Sequence, residues 1–182
     1  SIDFIDDSKG YISKNKSLLK TIDGGLTFNE VDIDGANSFI ETLDFAEITG
    51  IIMNTDTNVI VAFNQYPNAT QAYSYIFESV DDNWTRKSLG LEASGIYFLE
   101  SILQNKTVFA FGNRNHYVIN NLNDIVNIKI ENKKFLDVKF FNNVAYAITR
   151  KHGGGAWGRQ SSDGDDDHYF LFSNDNGVNW LN

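Results

Sequence analysis

The sequence predicts an all-β fold, a β-propeller of four-stranded antiparallel blades, and three observations predict it. A turn built from Asp and Gly recurs along the 182 residues, each copy follows a similar series of short apolar segments, and helical periodicity is absent over any useful length. The last apolar residues of the four copies are 56, 41 and 55 residues apart. Repeats of about 20 to 50 residues are typical of solenoids and propellers.

The recurring turn is clearest in "TIDGGLTF", residues 21–28, and "SNDNGVNW", residues 173–180. The first copy supplies Thr21, Asp23, Gly25 and Phe28, and the last supplies Ser173, Asp175, Gly177 and Trp180. A weaker copy holds Ser79, Asp81 and Trp84 with a turn two residues shorter. A degenerate copy runs from Asn120 to Ile125. We refer to these four stretches as the turn motifs.

Each type of residue in the turn motif has a physical role. A tight turn leaves backbone N–H groups without partners, and an Asp carboxylate can accept from them while a Ser or Thr hydroxyl bonds back to the same turn. Gly provides a backbone conformation that a Cβ would penalise. The closing aromatic residue is expected to pack under the hairpin.

The spacing of the turn motifs predicts four units. Each unit has four strands, which we call a, b, c and d, and the turn motif lies between c and d. They cover approximately residues 1–33, 43–90, 95–131 and 134–182 of one domain. The alternation of large and small side chains supports the predicted strands. In a strand over residues 144–148, Val144, Tyr146 and Ile148 would lie on one face and Ala145 and Ala147 on the other.

The pattern S-x-D-x-G-x-T-W resembles the Asp-box (BNR) repeat of sialidases, sortilin-type receptors and photosystem-assembly propellers. The first copy matches with conservative changes at both ends, and the fourth departs only at Asn179, where Thr is expected. The resemblance covers essentially the whole chain and implies a propeller. It also implies that the turn motifs lie on the rim, away from the usual binding face.

The fourth unit reaches only Asn182, two residues after Trp180. A truncated d strand would leave an exposed ladder edge, which proteins normally avoid. Three explanations stay open: the chain is part of a larger propeller, which we favour, it self-associates through the open blade edge, or its outer edge is short.

Charge and composition limit the function. The net charge of −9 argues against nucleic-acid binding and is compatible with a basic protein partner. Apolar runs are too short to cross a membrane, no leader peptide is visible, and the absence of Cys excludes disulfides without assigning a compartment. The Asn-rich, Pro-poor composition suggests a bacterial origin.

The b–c loops lie opposite the turn motifs, and they are the candidate binding surface. They vary in length, and residues 151–167 form a long loop in the fourth unit. Variable loops on a rigid scaffold commonly carry binding residues. The candidate partner-binding residues in or beside these loops are Arg114, His116, Arg150, His152, Trp157, Arg159 and His168.

Metal binding is a minor alternative. Asp163, Asp165 and Asp167 alternate like the first half of a calcium loop, but His168 and Asn174 stand where an EF-hand requires Gly and Glu. His152 and His168 flank the same loop and could hold zinc with an Asp. The sequence therefore predicts no cofactor and leaves calcium as the alternative.

The sequence favours a non-catalytic protein-binding module, with an inhibitor, immunity or assembly role as concrete versions. Sialidase chemistry would need an arginine triad and an Arg-Ile-Pro motif, yet the sole proline follows Tyr66. The alternatives are a glycan-binding propeller, in which Trp157 and Tyr66 or Tyr73 stack on sugars, and a sialidase-like glycoside hydrolase.

Overall fold

A computed structural model describes residues 1–33, 45–68, 71–92, 96–102, 107–112, 115–129, 133–141, 144–151, 168–175, 177 and 179–181. Within these residues the chain forms antiparallel β-sheets, and the sheets follow one another along the chain. Each sheet is a meander in which sequence neighbours pair, as short turns between alternating segments favour. The predicted all-β fold of antiparallel propeller blades is confirmed, with four strands in three of the sheets and three described strands in the last.

The first two sheets have four strands each. Sheet 1 comprises β1 (Ile2–Phe4), β2 (Gly10–Lys14), β3 (Ser17–Thr21) and β4 (Asn29–Val31). Sheet 2 comprises β5 (Ala46–Met53), β6 (Asn58–Asn68), β7 (Gln71–Val80) and β8 (Asn83–Glu92).

The third sheet also has four strands, and the fourth has three among the described residues. Sheet 3 comprises β9 (Ile96–Ile102), β10 (Thr107–Gly112), β11 (Asn115–Asn121) and β12 (Asp124–Lys129). Sheet 4 comprises β13 (Lys133–Phe141), β14 (Val144–Lys151) and β15 (His168–Ser173). Leu181 adds a single bridge to Phe172 in the position of a fourth strand.

The first turn motif forms the predicted network. The Thr21 hydroxyl donates to the Asp23 carboxylate at 2.8 Å and accepts from the backbone N–H of Gly25 at 2.9 Å. The same carboxylate accepts from the backbone N–H of Thr27 at 2.9 Å and from its hydroxyl at 2.6 Å. Gly25 has a φ of 89°, where a Cβ would be strained.

The fourth turn motif repeats this network with one substitution. Ser173 donates to Asp175 at 2.6 Å and accepts from the N–H of Gly177 at 2.8 Å. The side-chain amide of Asn179 donates to Asp175 at 2.6 Å, where Thr27 uses its hydroxyl in the first copy. Asn at this position therefore supplies the same donor as Thr.

The second turn motif, with Ser79, Asp81 and Trp84, is the shorter turn that the sequence indicates. Ser79 pairs with Trp84 and Val80 pairs with Asn83, which leaves Asp81 and Asp82 as a two-residue hairpin turn. Their φ angles are 52° and 61°, the left-handed values of a type I′ turn. Because this turn is two residues shorter, the left-handed backbone closes it.

The sheets pack face to face in chain order, and each junction has its own apolar cluster. Tyr11 and Leu18 of sheet 1 meet Ile51 and Val61 of sheet 2. The opposite face of sheet 2, with Ala62 and Ile76, meets sheet 3. Sheet 3 meets sheet 4 through a third cluster, which includes Phe111, Phe135, Val138, Ala147 and Leu171. The core is therefore a series of layers between blades.

Polar and close contacts also join sheets 2 and 3. The buried Asn64 amide donates to the backbone carbonyl of Ile96 at 2.7 Å and accepts from the N–H of Ile96 at 3.0 Å. A Cβ added at Gly50 would lie 2.5 Å from Cγ of Leu99, so any larger residue would force that leucine to shift. The described residues contain no helical segment with the length and hydropathy that a membrane crossing requires.

Candidate functional site

The end of the sheets opposite the turn motifs carries the b–c loops, and we call it the b–c end. There β2 turns into β3, β6 into β7, β10 into β11 and β14 into β15, and β5 begins at the same end. Seven of the candidate residues lie outside the described residues: Arg114, His152, Trp157, Arg159, Asp163, Asp165 and Asp167.

Arg150 and His168 are brought together at this end. Arg150 lies in β14 opposite His168, the first residue of β15, and the His168 side chain is exposed. Within the described part of the chain, no group of three or more His, Asp or Glu side chains is placed to hold a metal ion.

His116 does not lie on the surface, which corrects its selection as a partner-binding residue. It is the second residue of β11 and only 4% exposed, with its ring between those of Phe111 and Phe135. Neither ring nitrogen has a hydrogen-bond partner, and burial lowers the pKa of His116 to about 4. The neutral imidazole therefore acts as a packing ring between sheets 3 and 4.

An open cleft of about 410 Å³ lies at the b–c end between sheets 1 and 2. Its lining comes from the β2–β3 turn, the start of β5 and the end of β6: Asn15, Lys16, Phe45, Ala46, Glu47 and Tyr66. Phe45 is 73% exposed and gives the cleft an apolar surface. Cavities of about 300 to 1,000 Å³ are typical of sites that take small ligands or side chains.

Two lining residues, Tyr66 and Glu47, belong to a chain of hydrogen bonds that starts at the buried Asn64. The Asn64 amide donates to the Tyr66 hydroxyl at 3.1 Å, and that hydroxyl donates to the Glu47 carboxylate at 2.7 Å. Asn64 is itself anchored on Ile96. The Glu47 carboxylate is therefore oriented before any ligand arrives.

Backbone hydrogen bonds fix the remaining lining. The N–H of Ile48 donates to the carbonyl of Asn15 at 2.9 Å, which ties the β2–β3 turn to β5. The N–H of Tyr66 donates to the carbonyl of Phe45 at 2.8 Å. Asn15 has a φ of 54°, a conformation that Asn tolerates better than most residues. The cleft is thus built on paired strands and one tight turn.

Sequence reasoning identified Tyr66 but missed Phe45, Glu47 and Lys16. Tyr66 was selected as a residue that could stack on a sugar, whereas its hydroxyl orients Glu47. The available signal was "DFAE", where an aromatic and an acidic residue flank the start of a strand. This sequence pattern indicates a site only once sheet 1 is known to pack on sheet 2, because the cleft lies between the two sheets.

The fold defines an all-β protein of the β-propeller class with an open cleft at one end. No family model matches the chain, and no curated protein matches it. Among solved structures, it is similar to a chain described as YCF48 bound to D1 peptide, at 12% sequence identity and a TM-score of 0.33. That match covers 100% of this chain and 79% of the other chain.

Proposed function

We propose that this chain is a non-catalytic binding module of the Asp-box propeller type that engages a protein partner at its b–c end. The hydrogen-bonded turn motifs at Asp23 and Asp175 support the Asp-box assignment. The observation that carries the binding proposal is the cleft between sheets 1 and 2, with an exposed Phe45 beside a preorganised Glu47.

The chemistry of the cleft favours a peptide segment with one apolar and one basic side chain. Aromatic side chains are enriched among residues that dominate protein interfaces, and Phe45 offers such a contact. Glu47 is placed to accept from a Lys or Arg of the partner while its other oxygen holds Tyr66. The net charge of −9 would accelerate association with a basic partner.

Selection from a displayed random-peptide library tests the proposal without knowledge of the natural partner. We expect binders rich in Lys or Arg next to an aromatic or aliphatic residue, with affinity that falls as salt rises. Phe45→Ser and Glu47→Gln should each weaken binding by at least about tenfold. Val80→Ser is the matched control, because Val80 is an exposed apolar residue of sheet 2 at the opposite end.

Three further experiments distinguish peptide binding at the cleft from binding by the long loop, glycan binding and glycoside hydrolysis. Replacement of residues 153–166 by a short Gly-Ser turn distinguishes the long loop from the cleft, because only a loop site would be lost. A glycan array tests sugar binding, and salt-insensitive glycan binding that depends on the cleft would replace the peptide proposal. Turnover of a chromogenic glycoside by the intact chain would overturn its non-catalytic part.

A further inference from the structure

The stacking of the sheets distinguishes two faces on each sheet. We call the face turned to the following sheet the forward face and the face turned to the preceding sheet the backward face. In sheet 2, Ile51 and Val61 belong to the backward face, while Ala62 and Ile76 belong to the forward face. Both faces of sheets 2 and 3 are covered by their neighbours.

The forward face of sheet 4 is apolar and exposed. Tyr146 pairs with Phe172 and Ile148 pairs with Phe170 across β14 and β15, so the four side chains form one continuous patch. Phe170 is 63% exposed, and the other three are exposed as well. The backward face of the same strands, with Ala147 and Leu171, is buried against sheet 3.

The backward face of sheet 1 is also apolar and incompletely covered. Ile2 pairs with Ile12 and Ile12 pairs with Leu19, which aligns three aliphatic side chains across β1, β2 and β3. The ring of Phe4 lies over Gly10, where an added Cβ would come within 2.6 Å of it. Ile2 is 67% exposed.

The two open faces are the two halves of an interface that the chain already forms three times. Each junction between described sheets joins a forward face to a backward face, and sheets 1 and 4 do not pack together in that way among the described strands. Exposed apolar patches of this kind mark interaction sites. A second copy of this chain would offer both complementary faces at once.

We propose that the forward face of sheet 4 docks on the backward face of sheet 1 of a second copy. Sheet 4 of the second copy docks on sheet 1 of the first in the same way. The dimer has a twofold axis, and the same heterologous contact occurs twice, so the assembly closes. Two copies of four sheets give a ring of eight blades, within the range of about four to eight that propellers use. This contact joins sheet faces, whereas strand addition at the blade edge would join backbones.

Light scattering and sedimentation velocity on the intact chain test the proposal. The expected mass is twice that of one chain. Phe170→Lys and Ile2→Lys should each weaken association by at least about 100-fold, because a charge enters the contact twice. Both positions are exposed in one copy, so circular dichroism should stay unchanged. Leu26→Lys adds the same charge to an exposed turn-motif residue and should remain dimeric.

Mixing the two variants provides the decisive arm. A mixture of Phe170→Lys and Ile2→Lys keeps one intact contact, between the sheet 4 of one variant and the sheet 1 of the other, and should form a heterodimer. A monomeric intact chain would overturn the proposal. Dimerisation of the Ile2→Lys variant on its own would also overturn it, because such a dimer would indicate that sheet 4 of one copy contacts sheet 4 of the other. Peptide binding at the cleft is measured separately on the monomeric variants, so failure of either proposal leaves the other testable.

Discussion

The imidazole of His116 meets the ring of Phe135 edge-on, with 4.6 Å between ring centroids, across the junction between sheets 3 and 4. Phe111 of sheet 3 lies 5.6 Å from the same imidazole, and Trp180 of sheet 4 lies 5.0 Å from Phe135. A titratable side chain therefore occupies an aromatic layer in which a charge would be poorly solvated. Protonation of this side chain opposes the packing of the two sheets.

The free energy of unfolding should consequently fall in mild acid. Burial lowers the pKa of His116 from 6.5 to about 4, so the unfolded chain binds a proton in a window where the folded chain does not. Stability is fully present above the unfolded pKa and is lost as the pH falls from about 6.5 to about 4, by about 3 kcal/mol. Urea unfolding across this window measures the loss. His116→Phe should abolish this contribution, whereas His168→Phe, at an exposed position, should retain it.

The Asn64 clamp between sheets 2 and 3 should be sensitive to substitution. Asn64→Leu keeps the approximate volume but leaves the N–H and carbonyl of Ile96 without their partner. Two unsatisfied buried backbone groups predict a destabilisation of about 2 to 4 kcal/mol. Ser74→Ala is the control, because it removes only the 3.0 Å bond from the Ser74 hydroxyl to Asn64 and should cost about 1 kcal/mol. Equal effects of the two variants in denaturant unfolding would contradict the clamp.

Gly50 and Leu99 should show strong energetic coupling. An alanine at Gly50 would place its Cβ 2.5 Å from Cγ of Leu99, and overpacking of this kind costs about 1 to 3 kcal/mol. In a Leu99→Ala background the same change should cost less, since Cγ of Leu99 is gone and only its backbone N at 3.0 Å and its Cβ at 3.1 Å stay close. Gly25→Ala is the contrast: its Cβ meets only the Phe28 ring at 3.6 Å, so its penalty comes from a φ of 89°. Leu99→Ala should not relieve that penalty.

Strong acid should weaken the two turn motifs built on Asp23 and Asp175. Hydrogen bonds led by the Thr27 hydroxyl lower the pKa of Asp23 to about 2, and those led by the Ser173 hydroxyl lower the pKa of Asp175 to about 2. The stability these carboxylates contribute is present above their usual pKa of 3.8 and is lost as the pH falls towards 2. Unfolding midpoints across this window, compared with those of Asp23→Asn and Asp175→Asn, measure the effect. If the unfolding midpoint of one variant depends on pH in this window as steeply as that of the intact chain, the effect is refuted for that turn.

The sequence predicts local structure well where the determinants are close along the chain. Thr21, Asp23 and Gly25 lie within five residues, so their spacing alone indicates the hydrogen-bonded turn that the structure contains. The alternation of Ala145, Tyr146 and Ala147 likewise indicates a strand with one buried face. The shortened turn at Asp81 and Asp82 also lies where the sequence indicates it, whereas its left-handed φ angles are known only from the structure.

The candidate site was less predictable because its parts are distant in sequence. Asn15 and Tyr66 reach the same cleft only after sheet 1 has packed on sheet 2. The burial of His116 depends on Phe135 of the next sheet, a contact that no local pattern shows. Placement of polar residues near turns therefore pointed to the end of the sheets where the cleft lies, but of the residues of the cleft it named only Tyr66.

The chain-order pairing of the strands has a consequence for how the protein folds. Each sheet can assemble from contacts between adjacent segments, without waiting for distant parts of the chain to meet. Stacking then adds one layer at a time, so the free energy approximates a sum of sheet terms and nearest-neighbour junction terms. In a single copy, amide exchange should be slowest in sheet 2, whose long strands are covered on both faces, and faster towards sheets 1 and 4. Local folding of the sheets thus leads to a molecule whose rigidity is graded along its length.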